Sequence, residues 1–198
     1  MKKQLSNTQK TKSELILNAA LGQFAENGFH SSPVSQLAVL AGVGVGTIYR
    51  YFKDKEELIH AVFEKIDKKL QKELAESLDT TLSDRSQYIQ FISILIRYLN
   101  THTKEFIFME QYYSSPYGVE TKHERFLRSD GGDQSDPIAN LFAGTKKAVL
   151  KNLPLPIFFA MTFGPVTLLV RDSLSGLVTL DDAVIRQTAE ACWDAIKA

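Results

Sequence analysis

Apolar side chains recur at helical spacing along most of the chain and predict an all-α fold. In the first segment Ile16, Ala20 and Phe24 follow one another at every fourth position. The preceding Thr11-x-x-Glu14 has the pattern of a capping box, which predicts that this helix begins near Thr11, and Asn27-Gly28 ends it. No segment alternates apolar and polar residues as a strand with a hairpin turn does.

The same spacing, interrupted by Gly, Pro and Ser, predicts nine further helices. They cover residues 34–41, 45–52, 54–78, 85–101, 104–113, 120–128, 137–152, 156–174 and 180–197. The longest uncharged run, 152–170, contains three prolines and is shorter than the roughly 20 apolar residues that span a membrane. We therefore predict a buried helix there and no membrane partner. Pro165 cannot donate a hydrogen bond to the Met161 carbonyl, which predicts a kink.

The second and third helices are too short to be stable alone and are joined by a turn at Gly42. Small residues, Ala38 and Ala41, allow the two helices to approach closely. The apolar residues spaced to hold them against the first helix are Leu37, Val43, Ile48 and Phe52. This is the arrangement of a helix-turn-helix, whose second helix enters the major groove of DNA.

The charge of the chain is divided unevenly, although its formal net charge is zero. Residues 1–55 carry seven basic and three acidic side chains, a balance of +4, and the remaining residues carry −4. A basic N-terminal segment on an acidic body predicts a polyanionic partner at that end.

The stretch 24–58 resembles the DNA-binding signature of the tetracycline-repressor (TetR) family. Sixteen positions match that pattern in register: Phe24, Gly28, Phe29, Val34, Leu37, Ala38, Ala41, Gly42, Val43, Gly46, Thr47, Tyr49, Tyr51, Phe52, Lys55 and Leu58. The matching stretch covers a little under a fifth of the chain. It implies an N-terminal arm and helix-turn-helix domain over 1–53, followed by a larger helical domain over 54–198 for effector binding and dimerisation.

The resemblance also implies which residues contact double-stranded operator DNA. Those expected to bind phosphates are Thr47, Tyr51 and Lys55, and those expected to face base edges are Val45, Gly46, Tyr49 and Arg50. Two positions depart from the family pattern: Gly44 replaces the usual capping serine, and Val45 stands where relatives often have lysine or arginine. Valine can contact a thymine methyl group but cannot hydrogen-bond to guanine, so Arg50 becomes the main polar candidate.

The body is rich in aromatic and methionine side chains, a pattern typical either of an ordinary core or of a pocket for an apolar or aromatic effector. The family resemblance implies a ligand pocket in this domain. The candidates that we predict are Phe91, Leu95, Tyr98, His102, Met109, Tyr112, Tyr113, Phe159, Thr162 and Phe163. Glu110 and Arg171 are further polar candidates.

The last helix carries apolar residues on more than one stripe, which predicts burial against both its own body and a second subunit. The resemblance likewise implies a homodimer formed through the last two helices. A dimer also suits a short recognition helix, because two copies can read a palindrome.

These features predict a ligand-responsive, homodimeric transcriptional regulator, more specifically a repressor, located in the cytoplasm. Cys192 is the single cysteine, and no apolar stretch follows the basic N-terminus as in a signal peptide. Two alternatives stay open: an enzyme acting on a small apolar substrate in the body, and a DNA-binding protein without an effector. We expect no catalytic residues, metal site or cofactor, because His60, His102 and His123 are scattered and Gly42-x-Gly44-x-Gly46-Thr47 lacks the strand and spacing of a nucleotide loop.

Overall fold

The computed structural model describes residues 7–119, 121 and 149–198. In this part of the chain the regular structure is helical, as the sequence predicts. The helices are α1 (Asn7–Asn27), α2 (Val34–Leu40), α3 (Val45–Tyr51), α4 (Lys55–Ser77), α5 (Asp84–Thr101), α6 (Thr103–Tyr113), α7 (Leu155–Leu174) and α8 (Asp182–Ile196). Most of the predicted helices 120–128 and 137–152 lies outside the described residues.

Two predicted helix ends are wrong. Helix α1 already begins at Asn7, so Thr11 lies inside it, exposed, and does not cap its start. The helix predicted to end at 152 does not extend to that residue. Instead Leu150 forms a β-bridge with Lys197, and the Lys151 amide donates to the carbonyl of Ile196 at 2.8 Å.

The chain divides into two compact units. The N-terminal unit contains residues up to Lys68 together with Lys104–Tyr117, and the C-terminal unit contains Lys69–Thr103 and the residues from Gly118 onwards. Most of α6 therefore belongs to the unit that contains α2 and α3, and α4 begins in one unit and ends in the other.

An aromatic core holds the N-terminal unit together. Phe29 makes edge-on contacts at 5.4 Å between ring centroids with both Phe24 of α1 and Phe108 of α6. Tyr112 is fully buried and stacks on Phe63 of α4 at 4.2 Å. Because aromatic rings bury large apolar areas, this cluster fixes α1, α4 and α6 around the two short helices.

Helices α5, α7 and α8 pack on one another in the C-terminal unit. The buried Tyr88 hydroxyl donates to Oγ1 of Thr162 at 3.3 Å, and the Tyr88 ring lies 5.5 Å from Trp193. At the surface, Arg97 of α5 forms an ion pair of 2.9 Å with Asp182 at the start of α8.

The prediction that residues 152–170 form a buried helix is only partly right. Helix α7 is apolar and continues through Pro165, but its buried positions form a single stripe at Phe158, Thr162, Val166 and Val170. The opposite face is exposed, with Ile157, Met161 and Leu168 each at 42–54% of full exposure. By length and composition alone, Pro156–Leu174 would also be sufficient to cross a membrane. An uncharged sequence does not reveal that one face of such a helix stays exposed among the described residues.

Candidate nucleic-acid interface

The chain leaves α1 and enters α2 through a tightly bonded turn. Gly28 has a φ of 76°, and its amide donates to the carbonyl of Phe24. The hydroxyl group of the fully buried Ser32 lies 2.7 Å from the Gly28 carbonyl oxygen and 3.2 Å from that of Gln23. Pro33 then supplies the N-cap residue of α2 with an extended backbone. These contacts fix the direction in which α2 leaves α1.

A glycine turn joins α2 to α3. Gly42 has a φ of 65°, a conformation that L side chains rarely adopt. Its amide donates to the carbonyl of Val39, and the amide of Val43 donates to that of Ala38 at 3.0 Å. These bonds satisfy carbonyl groups at the end of α2, so the chain can turn within a few residues.

Helix α3 begins without a side-chain cap. Gly44 is its N-cap residue, and the Thr47 amide donates to the Gly44 carbonyl at 2.8 Å. Glycine is a weaker N-cap residue than serine, but it can serve as one, as this geometry shows.

The two faces of α3 differ. Ile48 of α3, Phe52 directly after it and Leu37 of α2 are almost fully buried. This confirms the prediction that they hold the helix-turn-helix together. Val43 is half-buried. The outer face carries Val45 at 39% exposure and Tyr49 at 51%, together with exposed Gly46 and Arg50. The side chains predicted to meet base edges therefore share the outer surface of the short helix.

The residues predicted to bind phosphates lie in less open positions. Thr47 and Lys55 are half-buried, and partial burial lowers the pKa of Lys55, because desolvation disfavours the charged form. The Tyr51 hydroxyl is buried and has no hydrogen-bond partner among the described residues. The Arg50 guanidinium lies over the Tyr51 ring at 5.4 Å from its centroid, in cation–π geometry.

The start of α4 lies directly after α3 and is firmly capped. Asp54 accepts a hydrogen bond of 2.8 Å from the Glu57 amide, and the Glu57 carboxylate accepts one from the amide of Lys53. The side chain of Lys53 is exposed. The family pattern did not assign Lys53 a role, but the charge count of the first 55 residues includes it, and we add it to the basic flank of the site.

The predicted effector residues are divided between the two units. Met109, Tyr112 and Tyr113 lie in the N-terminal unit, where the Tyr112 hydroxyl is 2.8 Å from Nδ1 of His60. The other seven lie in the C-terminal unit. Of these, Phe91, Leu95, Tyr98 and Thr162 are buried, and His102, Phe159 and Phe163 are half-buried. Phe163 contacts Phe159 at 5.1 Å and Phe91 at 6.4 Å between ring centroids.

Within the described residues, no three His, Cys, Asp or Glu side chains are grouped so that they could hold a metal ion. The geometry consists of two short helices joined by a glycine turn. The second helix faces outward, carries Arg50 and is followed by Lys53 and Lys55. These features define a helix-turn-helix DNA-binding protein.

Comparison with known proteins gives the family. The family model for bacterial regulatory proteins of the tetR family matches residues 16–62, and the model for the tetracyclin repressor-like C-terminal domain matches residues 85–197. Because these matches cover most of the chain, it belongs to the TetR family of transcriptional regulators, as the sequence resemblance implied.

Individual relatives agree with this assignment. An uncharacterised HTH-type transcriptional regulator of Bacillus subtilis, YhgD, is 32% identical over 89 residues, which are 45% of this chain and about half (47%) of the relative. A TetR family transcription regulator from Marinobacter aquaeolei VT8 has the same fold, with a TM-score of 0.82 and 22% identity over 98% of this chain and 99% of that one. The regulator FadR from Bacillus subtilis, solved in complex with stearoyl-CoA, matches with a TM-score of 0.66 and 20% identity over 91% of this chain and 95% of FadR.

Proposed function

We propose that the protein is a homodimeric transcriptional repressor that binds palindromic operator DNA and is released by an apolar or aromatic effector. The observation that carries this proposal is the orientation of α3, which is anchored by Ile48 and Phe52 and exposes Val45, Tyr49 and Arg50. In this proposal residues 1–53 form the DNA-binding domain and 54–198 the effector and dimerisation domain. Base edges meet Val45, Gly46, Tyr49 and Arg50, while phosphates meet Thr47, Tyr51 and Lys55.

The exposed faces of the last two helices support dimerisation. Helix α7 leaves Ile157, Met161 and Leu168 exposed, and α8 exposes the small residues Ala183 and Ala191. A soluble monomer rarely exposes a continuous aliphatic face of this kind, whereas a two-fold interface buries it. Two copies would present two α3 helices to half-sites about one turn of DNA apart.

An effector in the C-terminal unit would act through α4. The aromatic residues Phe91, Phe159 and Phe163, with the hydroxyl group of Thr162, offer an apolar lining with a polar contact. The stearoyl-CoA bound to FadR supports a ligand with a long apolar portion. Because α4 begins in the unit of α3 and ends in the other, a shift of α4 would change the spacing of the recognition helices. By linkage, operator DNA then weakens effector binding by the same factor.

We further propose that the protein is not an enzyme and acts in the cytoplasm, as its regulator relatives suggest.

Selection of duplexes from a randomised library with the full-length protein tests the proposed operator binding. The selected duplex should bind tightly, with an affinity that falls steeply with salt as phosphate contacts require. Binding that is indifferent to salt and to sequence would contradict the proposal.

A further inference from the structure

The outward end of α3 lacks the groups that usually read guanine. From Val39 to Tyr49 no residue carries a charge, and only Thr47 and Tyr49 have side-chain hydrogen-bonding groups. Arginine and lysine are the common partners of guanine O6 and N7 in the major groove. The N-terminal residues of a recognition helix contact base edges, so the start of α3 must discriminate bases mainly by other means.

What this end of α3 offers instead is exposed apolar surface. Val45 and Tyr49 are separated by four residues, so they lie on one face of the helix, at 39% and 51% exposure. Nothing lies within 4 Å of a Cβ placed on Gly46, so the space beside Val45 is open. The β-branched Val45 has two methyl groups and few rotamers, which suits a fixed contact with another methyl group.

Double-stranded DNA presents one apolar group in its major groove, the 5-methyl group of thymine. We propose that Val45 and Tyr49 read thymine methyl groups in each operator half-site, so that base discrimination at the start of α3 is apolar and Arg50 supplies the polar contact. This inference rests on the proposed operator binding and specifies which bases are recognised. It predicts thymine at the positions that face Val45 in the duplex selected from the random library.

Replacing thymine by deoxyuridine tests the inference, because uracil keeps the base pairing and O4 but lacks the methyl group. The dissociation constant of the full-length protein is measured for the selected duplex and for versions carrying deoxyuridine at one symmetric pair of positions at a time. Burial of one methyl group corresponds to a factor of about four in affinity. We therefore expect at least one symmetric replacement to weaken binding about fifteenfold, from two half-sites.

Two valine variants form a matched pair for this experiment. Val45→Ala should bind the thymine and deoxyuridine duplexes almost equally, because the partner of the methyl group has been removed. Val39→Ala changes an exposed valine of α2, at 79% exposure, and should keep the full discrimination. Tyr49→Ala should reduce the preference for thymine over deoxyuridine at a position next to the one that Val45 reads.

The outcomes separate the two proposals. If wild-type protein binds every deoxyuridine duplex as tightly as the thymine duplex, thymine reading is wrong while operator binding stands. If Val45→Ala and Tyr49→Ala each lose as much affinity on deoxyuridine replacement as wild-type protein does, another residue reads the methyl group. In that case the inference is again overturned. If no duplex is enriched at all, operator binding itself fails, and this inference with it.

Discussion

The hydroxyl group of Ser32 lies 2.7 Å from the carbonyl oxygen of Gly28, at the point where α1 has ended and α2 has not begun. Gly28 has a left-handed backbone, and the same hydroxyl also reaches the Gln23 carbonyl inside α1. Ser32 is fully buried, and its single hydroxyl proton lies within reach of both carbonyl oxygens. One small side chain therefore connects the first helix to the helix-turn-helix.

We expect Ser32→Ala to lower the free energy of unfolding by about 1–2 kcal/mol, because the Gly28 carbonyl loses this donor. Urea denaturation measures this effect. The neighbouring Ser31 is exposed, and Ser31→Ala should change stability by less than about 0.5 kcal/mol. Equal effects of the two substitutions would show that the Ser32 hydrogen bonds do not matter.

Two glycines of the helix-turn-helix should respond to alanine with opposite signs. Gly42 has a φ of 65° with open space around it, so Gly42→Ala should destabilise by about 1–2 kcal/mol through backbone strain alone. Gly46 lies inside α3 with equally open space, so Gly46→Ala should stabilise the free protein by up to about 1 kcal/mol. Thermal denaturation compares the two, and gel shifts should show that Gly46→Ala weakens DNA binding despite the gain. Unchanged DNA affinity would remove Gly46 from the interface.

There is a physical reason why the sequence predicts the helix-turn-helix fold correctly. Turn glycines, small residues between close helices and the spacing of Leu37, Ile48 and Phe52 are all local features, and local features determine a helix-turn-helix. The start of α1 was predicted wrongly, because Thr11-x-x-Glu14 also fits the interior of a helix as an i, i+3 pair. The sequence pattern alone does not distinguish a capping box at the start of a helix from an i, i+3 pair inside it.

Two tyrosine hydroxyl groups of the N-terminal unit differ in their environment. The Tyr51 hydroxyl has no partner among the described residues, whereas that of Tyr112 is 2.8 Å from Nδ1 of His60. We expect Tyr51→Phe to raise the free energy of unfolding by about 1 kcal/mol and Tyr112→Phe to lower it by a similar amount, because only Tyr112 loses a hydrogen bond. Urea denaturation of both variants measures the signs. A loss of stability in Tyr51→Phe would mean that its hydroxyl is satisfied in solution.

Tyr112 also shows what sequence reasoning could not assign. Its aromatic neighbours in the sequence suggested an effector pocket. In the structure Tyr112 contacts His60 and Phe63 of α4. Periodicity gives the face of α6 on which Tyr112 lies and not the helix that covers this face. The sequence predicted a buried helix at α7 and did not predict its exposed face, for the same reason. Hydrophobicity does not show whether a face packs against the same chain or against a second subunit.

Alkaline pH should destabilise the C-terminal unit through Cys192. Burial raises the pKa of its thiol from 9.0 to about 11, and burial also raises the pKa of the neighbouring Tyr88. The unfolded chain therefore ionises first, so stability is complete below about pH 9 and falls as the pH rises towards 11. Urea denaturation across this range should show a smaller pH slope for Cys192→Ala than for wild type. An identical slope would exclude the thiol as a source of the effect.

The exposed face of α7 gives a prediction about assembly. Leu168 is the most exposed of the three residues on this face, at 54%, so Leu168→Glu should leave the monomer folded while placing two charges in the proposed dimer interface. Burying unpaired charges is costly, and we expect the dimer dissociation constant to rise at least a hundredfold. Leu82→Glu is the matched control, because Leu82 is 40% exposed and belongs to the turn before α5 and not to α7 or α8. Sedimentation should show monomers for Leu168→Glu and dimers for Leu82→Glu, with helical circular dichroism unchanged in both. If Leu168→Glu still sediments as a dimer, the subunits meet elsewhere, and the aliphatic face of α7 requires a different explanation.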